Sequence, residues 1–215
     1  MEKADIDYTL YLCTDRNCMK TETLEETVEQ AIMGGCSIVQ LREKDCSTKE
    51  FYEQALRIKK ITLQYKVPLI INDRIDICMA VDADGVHLGQ EDMPIAQARR
   101  LLGEGKIIGA SAHNAEEAVK AWQEGADYLG VGAIFGTNTK KNTVDTSIET
   151  LKEICNKVPI PVVAIGGVGL SNIEKLAGSR IRGVAVVSAI MAVEQPKEVA
   201  EKLVMKVRGV QNERI

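Results

Sequence analysis

The chain has 215 residues, of which 45% are hydrophobic and 27% are charged, so it has the length and composition of an ordinary globular protein with one sizeable core. Its formal net charge is −4, which provides no broad positive field for nucleic acid or anionic lipid. We therefore predict one domain over residues 1–215, with neither nucleic acid nor a membrane as its partner.

The start of the chain and its cysteines indicate the cytoplasm. Residues 1–7 carry acidic side chains and lack the basic start and apolar run of a signal peptide, and no later stretch approaches membrane-spanning length. The six cysteines are scattered without a CxxC pair, which predicts free thiols rather than a zinc site or a disulfide framework. We expect a cytoplasmic protein.

Eight short apolar runs, rich in β-branched residues, alternate with longer amphipathic stretches. Several runs are apolar on both faces, as in a parallel sheet that is covered by helices or closed into a barrel. We predict strands at residues 8–13, 37–41, 69–71, 85–88, 107–110, 128–131, 162–165 and 184–187.

The stretches between these runs carry signals for the starts and ends of helices. A short polar side chain three residues before a glutamate can satisfy free amides in a first helical turn. This pattern occurs at Thr23 with Glu26, Ser47 with Glu50, Asn114 with Glu117, Thr146 with Glu149 and Ser171 with Glu174. Glycines suited to helix ends follow at Gly34, Gly35, Gly103, Gly125 and Gly178. In the second helix, the residues predicted to face the sheet are Phe51, Ala55, Ile58, Ile61 and Tyr65.

About eight strand and helix pairs are the number that closes a TIM barrel. We therefore predict an α/β fold, a (β/α)8 TIM barrel in a single domain. The alternative is a doubly wound open sheet, but the GxGxxG turn that such a sheet often carries after its first strand is absent. In a barrel the active site lies at the C-terminal ends of the strands, so the residues that follow each run are the functional candidates.

The second run continues as Gln40-Leu41-Arg42-Glu43-Lys44. Alternation along a strand would point Gln40, Arg42 and Lys44 to the same side. Arginine offers a bidentate fork and lysine a mobile point charge, so this set suits a phosphate or diphosphate. The alternative is a solvated strand end with a salt bridge to Glu43.

Acidic residues follow the third and fourth runs. Asn72 and Asp73 come after the third, and Asp92 lies shortly after the fourth. On neighbouring rims of a barrel the two carboxylates could share a Mg²⁺, which typically takes one or two carboxylates. The alternative is that Asp73 or Asp92 caps the helix that follows it.

The fifth run leads to Ser111 and His113. Ser111 could bind a phosphate or a substrate ring. His113 has no acid partner visible in the sequence, so we interpret it as structural. His87 lies inside an apolar run, and we expect a satisfied histidine in the barrel interior rather than a metal ligand or a catalytic base.

The last three strand ends offer anion-binding groups. A glycine-containing loop after the sixth run carries Thr137, Thr139 and Lys140, which could close over an anion as a lid, or form a mobile surface loop instead. Gly166-Gly167 follows the seventh run and Val187-Ser188 the eighth. Backbone amides at these two places form the recurrent phosphate site of such barrels, although a pair of tight turns is the alternative.

These motifs resemble those of the thiamine phosphate synthase family, in the same order along the chain. The matching segments are residues 40–44, 72–74, 85–92, 137–140 and 164–167. The resemblance implies a transferase of thiamine biosynthesis that joins hydroxymethylpyrimidine diphosphate to hydroxyethylthiazole phosphate. Thiamine phosphate and pyrophosphate would be the products, formed by a displacement in which pyrophosphate leaves before the thiazole nitrogen attacks.

The resemblance also implies roles for individual residues. Mg²⁺ would be the cofactor, bound by Asp73 and Asp92. The pyrimidine substrate and its diphosphate would be held by Gln40, Arg42, Lys44, Asn72, Ser111 and Lys140, and the substrate-binding set also includes Leu41, Glu43 and Asn138. The thiazole phosphate would be held by Thr137, Thr139, Gly167, Val187 and Ser188. The groups that act in catalysis would be Arg42, Lys44, Ser111 and Lys140.

Two rival functions remain on the same barrel. A thiazole tautomerase would share the thiazole phosphate site without making a coupled product. A phosphate-sensing regulatory protein would bind the ligands without turnover. The sequence leaves the oligomeric state open, a homo-oligomer included.

Overall fold

The computed structural model describes residues 3–136 and 145–212, and it has the predicted (β/α)8 barrel. Each strand pairs in parallel with the next one along the chain, and β8 pairs with β1, which closes the sheet and excludes the doubly wound alternative. The strands are β1 (Leu10–Cys13), β2 (Ile38–Leu41), β3 (Leu69–Asn72), β4 (Gly85–Leu88), β5 (Ile107–Ala112), β6 (Tyr128–Val131), β7 (Val162–Ala164) and β8 (Gly183–Val186).

Helices cover the outside of the barrel. They are α1 (Leu24–Met33), α2 (Thr48–Tyr65), α3 (Ile75–Ala80), α4 (Ile95–Leu102), α5 (Ala115–Gln123), α6 (Ile148–Lys157), α7 (Ser188–Met191) and α8 (Pro196–Asn212). A 3₁₀ helix, Ile173–Leu176, takes the place of an α-helix after β7. None of the helices in the described ranges is both long and apolar enough to cross a membrane.

Three of the five predicted helix caps are confirmed. The side chains of the capping residues accept hydrogen bonds from first-turn amides in the pairs Thr23 and Glu26, Ser47 and Glu50, and Asn114 and Glu117. These caps satisfy amides that the helix itself leaves without acceptors. At Ser47 the cap is reciprocal, because the Glu50 carboxylate accepts the Ser47 amide at 2.8 Å.

The other two predicted caps are wrong. Helix α6 is capped by Ser147 rather than Thr146, whose side chain is buried and whose hydroxyl makes no hydrogen bond within the described residues. No helix begins at Ser171. The side chain of Asn172 closes that loop instead, accepting the Gly169 amide at 2.9 Å, because an amide can both donate and accept.

The core has two layers. Side chains inside the barrel form the inner layer, with Tyr11, Ile70 and Tyr128 among them, and the outer layer lies between the strands and the helices. On α2 the predicted face is confirmed for Phe51, Ala55 and Ile58, which are buried. Ile61 and Tyr65 also pack against this core, although they are only half-buried. The fully buried stripe of α2 continues through Thr62, which lies eleven residues, or about three turns, after Phe51.

Candidate functional site

Barrel closure brings the predicted residues of β2 to β5 to one rim. The strand register sets Gln40 beside Cys13 of β1, Asn72 beside His87, and Ser111 beside Gly130. All eight strands run in parallel, so their C-terminal ends share this rim. The side chains that follow these strands therefore meet in space although they are far apart in sequence.

The segment after β2 holds two cations that do not pair with Glu43. Glu43 instead accepts hydrogen bonds from Arg16, from Nε at 3.0 Å and from Nη2 at 2.7 Å. The Arg42 guanidinium is half-buried and lies 3.6 Å from the Asp15 carboxylate. Lys44 pairs with Asp73. The predicted alternative of a salt bridge within this segment is therefore wrong, because Glu43 faces the loop after β1.

Leu41 and Gln40 have contrasting environments. The Leu41 side chain is fully buried in the outer layer of the core, so only its backbone is available to a substrate. Gln40 is buried inside the barrel, where its Nε2 donates to the Tyr11 hydroxyl at 2.9 Å. Asn72 is half-buried at the end of β3, beside His87 of β4.

Asp73 and Asp92 interact with each other at this rim. Burial raises the pKa of Asp73, but hydrogen bonds from Lys44 and with Asp92 outweigh it and lower the pKa overall. Burial raises the pKa of Asp92, and the neighbouring Asp73 raises it further against the opposing hydrogen bond from the Gly89 amide, which is 2.7 Å from Oδ2. The pair therefore concentrates negative charge that a single lysine only partly offsets.

Neither carboxylate caps a helix. The N-caps of α3 and α4 are Arg74 and Pro94, and neither makes a side-chain capping bond. Asp73 has a left-handed backbone with φ of +63°, held by its amide donating to the His87 carbonyl at 2.9 Å. The helix-cap alternative is wrong for both residues. Such backbone conformations are uncommon outside glycine and concentrate at functional sites.

Both histidines are satisfied by neighbours. His87 Nδ1 lies 3.0 Å from the Tyr128 hydroxyl, and Nε2 lies 3.0 Å from the Ser111 hydroxyl, as expected for a histidine of the barrel interior. The expectation that His113 lacks an acid partner is wrong. Glu117, in the first turn of α5, reaches back past the N-cap residue Asn114: its Oε2 lies 3.0 Å from His113 Nδ1 and accepts the His113 amide at 2.8 Å.

The turns after β7 and β8 lie side by side. Gly166 and Gly167 have φ of +93° and +63°, so both adopt the left-handed region. A Cβ on Gly169 would lie 4.0 Å from the Ala189 Cβ after β8, and one on Gly167 would lie 2.2 Å from the Gly136 carbonyl oxygen, so the turn after β7 also contacts the loop after β6. Val187 and Ser188 stand at the start of α7, with Ser188 exposed. The geometry thus provides exposed backbone at the predicted phosphate site, and it is equally the geometry of tight turns.

Four predicted residues lie outside the described ranges, namely Thr137, Asn138, Thr139 and Lys140. The chain on either side of them is tied to the barrel. The Phe135 amide donates to the Gly166 carbonyl at 3.0 Å, and the Thr146 amide donates to the Ala133 carbonyl at 2.8 Å.

Sequence reasoning missed the loop after β1. Asp15 and Arg16 line a cavity of about 180 Å³ together with Arg42, Glu43 and Lys44. The signal was present, because both residues directly follow the first strand, as active-site residues of a barrel do. A larger cavity, of about 450 Å³, lies at the opposite end of the barrel, where Arg99, Trp122 and Arg182 line it far from these groups.

Comparison with known proteins covers almost the whole chain. A family model described as thiamine monophosphate synthase matches residues 10–190. A thiamine-phosphate synthase of Clostridium botulinum is 54% identical over 94% of this chain and 94% of its own length. One of Ruminiclostridium cellulolyticum is 56% identical over 94% and 96%. The solved structure of a thiamine phosphate pyrophosphorylase from Pyrococcus furiosus has a TM-score of 0.87 and 38% identity, covering 95% of this chain and 98% of that one.

Proposed function

The chain belongs to the thiamine monophosphate synthase family and is a transferase, and from that premise we propose the reaction that it catalyses. It joins hydroxymethylpyrimidine diphosphate to hydroxyethylthiazole phosphate, and it releases thiamine phosphate and pyrophosphate. The single observation that carries the proposal is the gathering of two carboxylates and two cations, Asp73, Asp92, Arg42 and Lys44, at one rim of the barrel.

Arg42 and Lys44 hold the diphosphate. The Arg42 guanidinium is only loosely paired with Asp15, at 3.6 Å, so its donors are not committed to a tight salt bridge. Lys44 is exposed and can move from Asp73 to a phosphate oxygen. As pyrophosphate leaves, negative charge grows on its oxygens, and cations already in place stabilise that charge without reorganisation.

Asp73 and Asp92 suit a Mg²⁺ ion. Burial, and to a smaller extent the neighbouring Asp73, raises the pKa of Asp92, and a divalent cation would stabilise the two carboxylates in their charged form. When bound, the ion would neutralise charge on the diphosphate oxygens. Mg²⁺ is usually held by one or two carboxylates and completed by water and phosphate, so a third protein carboxylate is not required.

The thiazole phosphate binds across the rim, at the turns after β7 and β8. Gly167 is exposed and has no side chain to keep an anion from its amide, and the exposed Ser188 at the start of α7 offers a hydroxyl. Thr137 and Thr139 would complete this site. The two substrates then occupy opposite sides of one cavity mouth.

The protein's part in the reaction is positioning and charge stabilisation. No side chain needs to form a covalent bond with the substrate, because the pyrimidine ring stabilises the cation left when pyrophosphate departs. The half-buried Asn72 and Ser111 at the ends of β3 and β5, with Gln40 in the barrel interior, would orient the pyrimidine. Capture of the cation by the thiazole nitrogen completes the reaction.

The test is to incubate the purified protein with both heterocycles and Mg²⁺, and to measure pyrophosphate and thiamine phosphate. We expect equal amounts of the two products, and none of either when one substrate is left out. Binding of both ligands without pyrophosphate release would favour a sensor. Rearrangement of a thiazole precursor without coupling would favour a tautomerase, and either result would refute the proposed reaction.

A further inference from the structure

We propose that a directed chain of hydrogen bonds through the barrel interior places the proton of the neutral His87 imidazole on Nε2, and so makes the Ser111 hydroxyl a donor toward the substrate. The chain runs from Gln40 through Tyr11, Tyr128 and His87 to Ser111. The tautomer is inferred from the hydrogen bonds of the barrel interior alone. Donation of the Ser111 proton to the substrate rests in addition on the proposed function.

Every link in this chain is short. Gln40 Nε2 lies 2.9 Å from the Tyr11 hydroxyl, and that hydroxyl lies 2.7 Å from the hydroxyl of Tyr128. Tyr128 then reaches His87 Nδ1 at 3.0 Å, and His87 Nε2 reaches Ser111 at 3.0 Å. All are within the normal range for hydrogen bonds, so each link constrains the proton of the next.

The direction of the chain follows from its first member. The Gln40 amide nitrogen can only donate, so the Tyr11 oxygen accepts from it. Tyr11 then gives its own proton to Tyr128, the other polar partner that the described structure provides for it. Tyr128 in turn gives its proton to His87 Nδ1, which must therefore be the unprotonated nitrogen.

The consequence reaches the site at the end of the chain. With Nδ1 accepting, the single proton of neutral His87 lies on Nε2 and is donated to the Ser111 oxygen. The Ser111 hydroxyl then has its own proton free to point away from His87. Ser111 is half-exposed at the rim, so that proton faces the space where the pyrimidine is expected.

The packing around the chain leaves it little freedom. Tyr11 and Tyr128 are each 1% exposed, and burial raises the pKa of both phenols well above the usual value, so they remain protonated. A Cβ on Gly109 would lie 2.1 Å from the Tyr128 ring, and one on Gly130 would lie 3.1 Å from the His87 ring. Glycine at these two interior positions leaves space for the rings of Tyr128 and His87.

The tautomer can be read directly by NMR. The protein has two histidines, so labelling with ¹⁵N-histidine gives two imidazole patterns. The variant His113→Gln removes one of them and so identifies the pattern of His87. We expect Nε2–H for His87 in the substrate-free protein, recorded at a pH at which the imidazole carries a single proton. An Nδ1–H tautomer in the wild-type spectrum would overturn the proposal, whatever the variants do.

Variants then test whether the chain of hydrogen bonds determines the tautomer of His87. Tyr128→Phe should convert the single tautomer into a mixture, because Nδ1 loses its donor. Tyr8→Phe is the matched control, since its ring packs 5.3 Å from that of Tyr128 but its hydroxyl is outside the chain. Tyr11→Phe should keep Nε2–H, because Tyr128 can still donate. An unchanged single tautomer in folded Tyr128→Phe would refute the role of the chain.

Kinetics test the link to Ser111. Removing one preorganised donor often costs 10²–10³-fold, and we expect Tyr128→Phe, which only misdirects the donor, to lower turnover about 10-fold. Added to Ser111→Ala, Tyr128→Phe should cause no further loss, whereas independent effects would multiply and contradict the link. If the protein releases no pyrophosphate at all, the proposed function fails, and the NMR result still decides the tautomer.

Discussion

Asp73 and Asp82 share an unusual local structure at opposite ends of the barrel. Both adopt a left-handed backbone, with φ of +63° and +51°, and each pairs with a lysine, Lys44 and Lys106 respectively. Asp73 follows β3 at the C-terminal rim, whereas Asp82 precedes β4 at the other end. The second residue is therefore a natural control for the first.

Asp73→Asn should abolish Mg²⁺-dependent pyrophosphate release, with a loss of about 10²-fold or more. Asparagine tolerates the left-handed backbone but removes the charge that a metal requires. Asp92→Asn should act in the same direction, and thiazole phosphate binding should persist in both. The measurement is pyrophosphate release against Mg²⁺ concentration. Asp82→Asn should behave as wild type, and full activity of Asp73→Asn after chelation would rule out the metal assignment.

Arg42→Lys should weaken capture of the diphosphate substrate although it keeps the positive charge. A lysine cannot form the bidentate contact of a guanidinium, so we expect the KM for the pyrimidine diphosphate to rise about 10-fold, as for the loss of one charge-assisted hydrogen bond of about 1.5 kcal/mol. The KM for the thiazole phosphate should not change. An equal rise in the KM for both substrates would mean that Arg42 does not act specifically at the diphosphate site.

Gly167→Ala should damage both stability and thiazole phosphate binding. An added Cβ would lie 2.2 Å from the Gly136 carbonyl oxygen, in a left-handed backbone that alanine disfavours. Gly178→Ala is the matched control, because Gly178 has a similar φ of +71° with no atom within 4 Å of its Cβ position. We expect a loss of about 1 kcal/mol for Gly178→Ala and clearly more for Gly167→Ala, measured by urea unfolding. Equal losses in the free energy of unfolding would mean that the contact between the loops after β6 and β7 does not stabilise the protein.

Stability should fall as the pH rises above about 9. Burial raises the pKa of the Cys13 and Cys36 thiols from 9.0 to about 12. Because the folded pKa is the higher one, the contribution of these thiols to stability is complete below pH 9 and is lost between pH 9 and about 12. Each thiol should contribute a slope of up to about 1.4 kcal/mol per pH unit in that window.

Urea unfolding at pH 8 and pH 10 measures this slope. Cys36→Ala removes one titrating thiol, whose Sγ lies 3.1 Å from the Ile38 carbonyl oxygen. The variant should therefore lose the part of the slope of unfolding free energy against pH that this thiol contributes. The same pH dependence in the variant as in the wild type would show that other groups, such as the buried tyrosines, account for it.

Much of the fold was predictable from the sequence because strand and helix periods are local. The predicted strands at 85–88 and 128–131 agree with β4 and β6 at both ends, and the remaining six lie within two residues of the observed bounds. The helix caps at Ser47 and Asn114 were predictable for the same reason. The caps at Thr146 and Ser171 were not, since burial and a loop closed by Asn172 decided which side chain reached the free amides.

The candidate site was predictable as a set of strand ends but not as a set of contacts. Asp73 and Asp92 follow neighbouring strands, so their common rim could be expected once a barrel was predicted. The pairing of Arg16 with Glu43 could not, because it depends on how the loop after β1 lies over the segment after β2.

The sequence by itself determined the fold class and the family resemblance, because both follow from the alternation of apolar runs and the order of the motifs. It also determined that the functional residues lie at the C-terminal rim of the barrel. Only the tertiary structure decided which polar atoms meet, as when the hydroxyl of Tyr11 reaches that of Tyr128 across 117 residues of chain. The physical reason is that a hydrogen bond depends on strand register and barrel closure to within a fraction of an ångström, and local periodicity does not encode either.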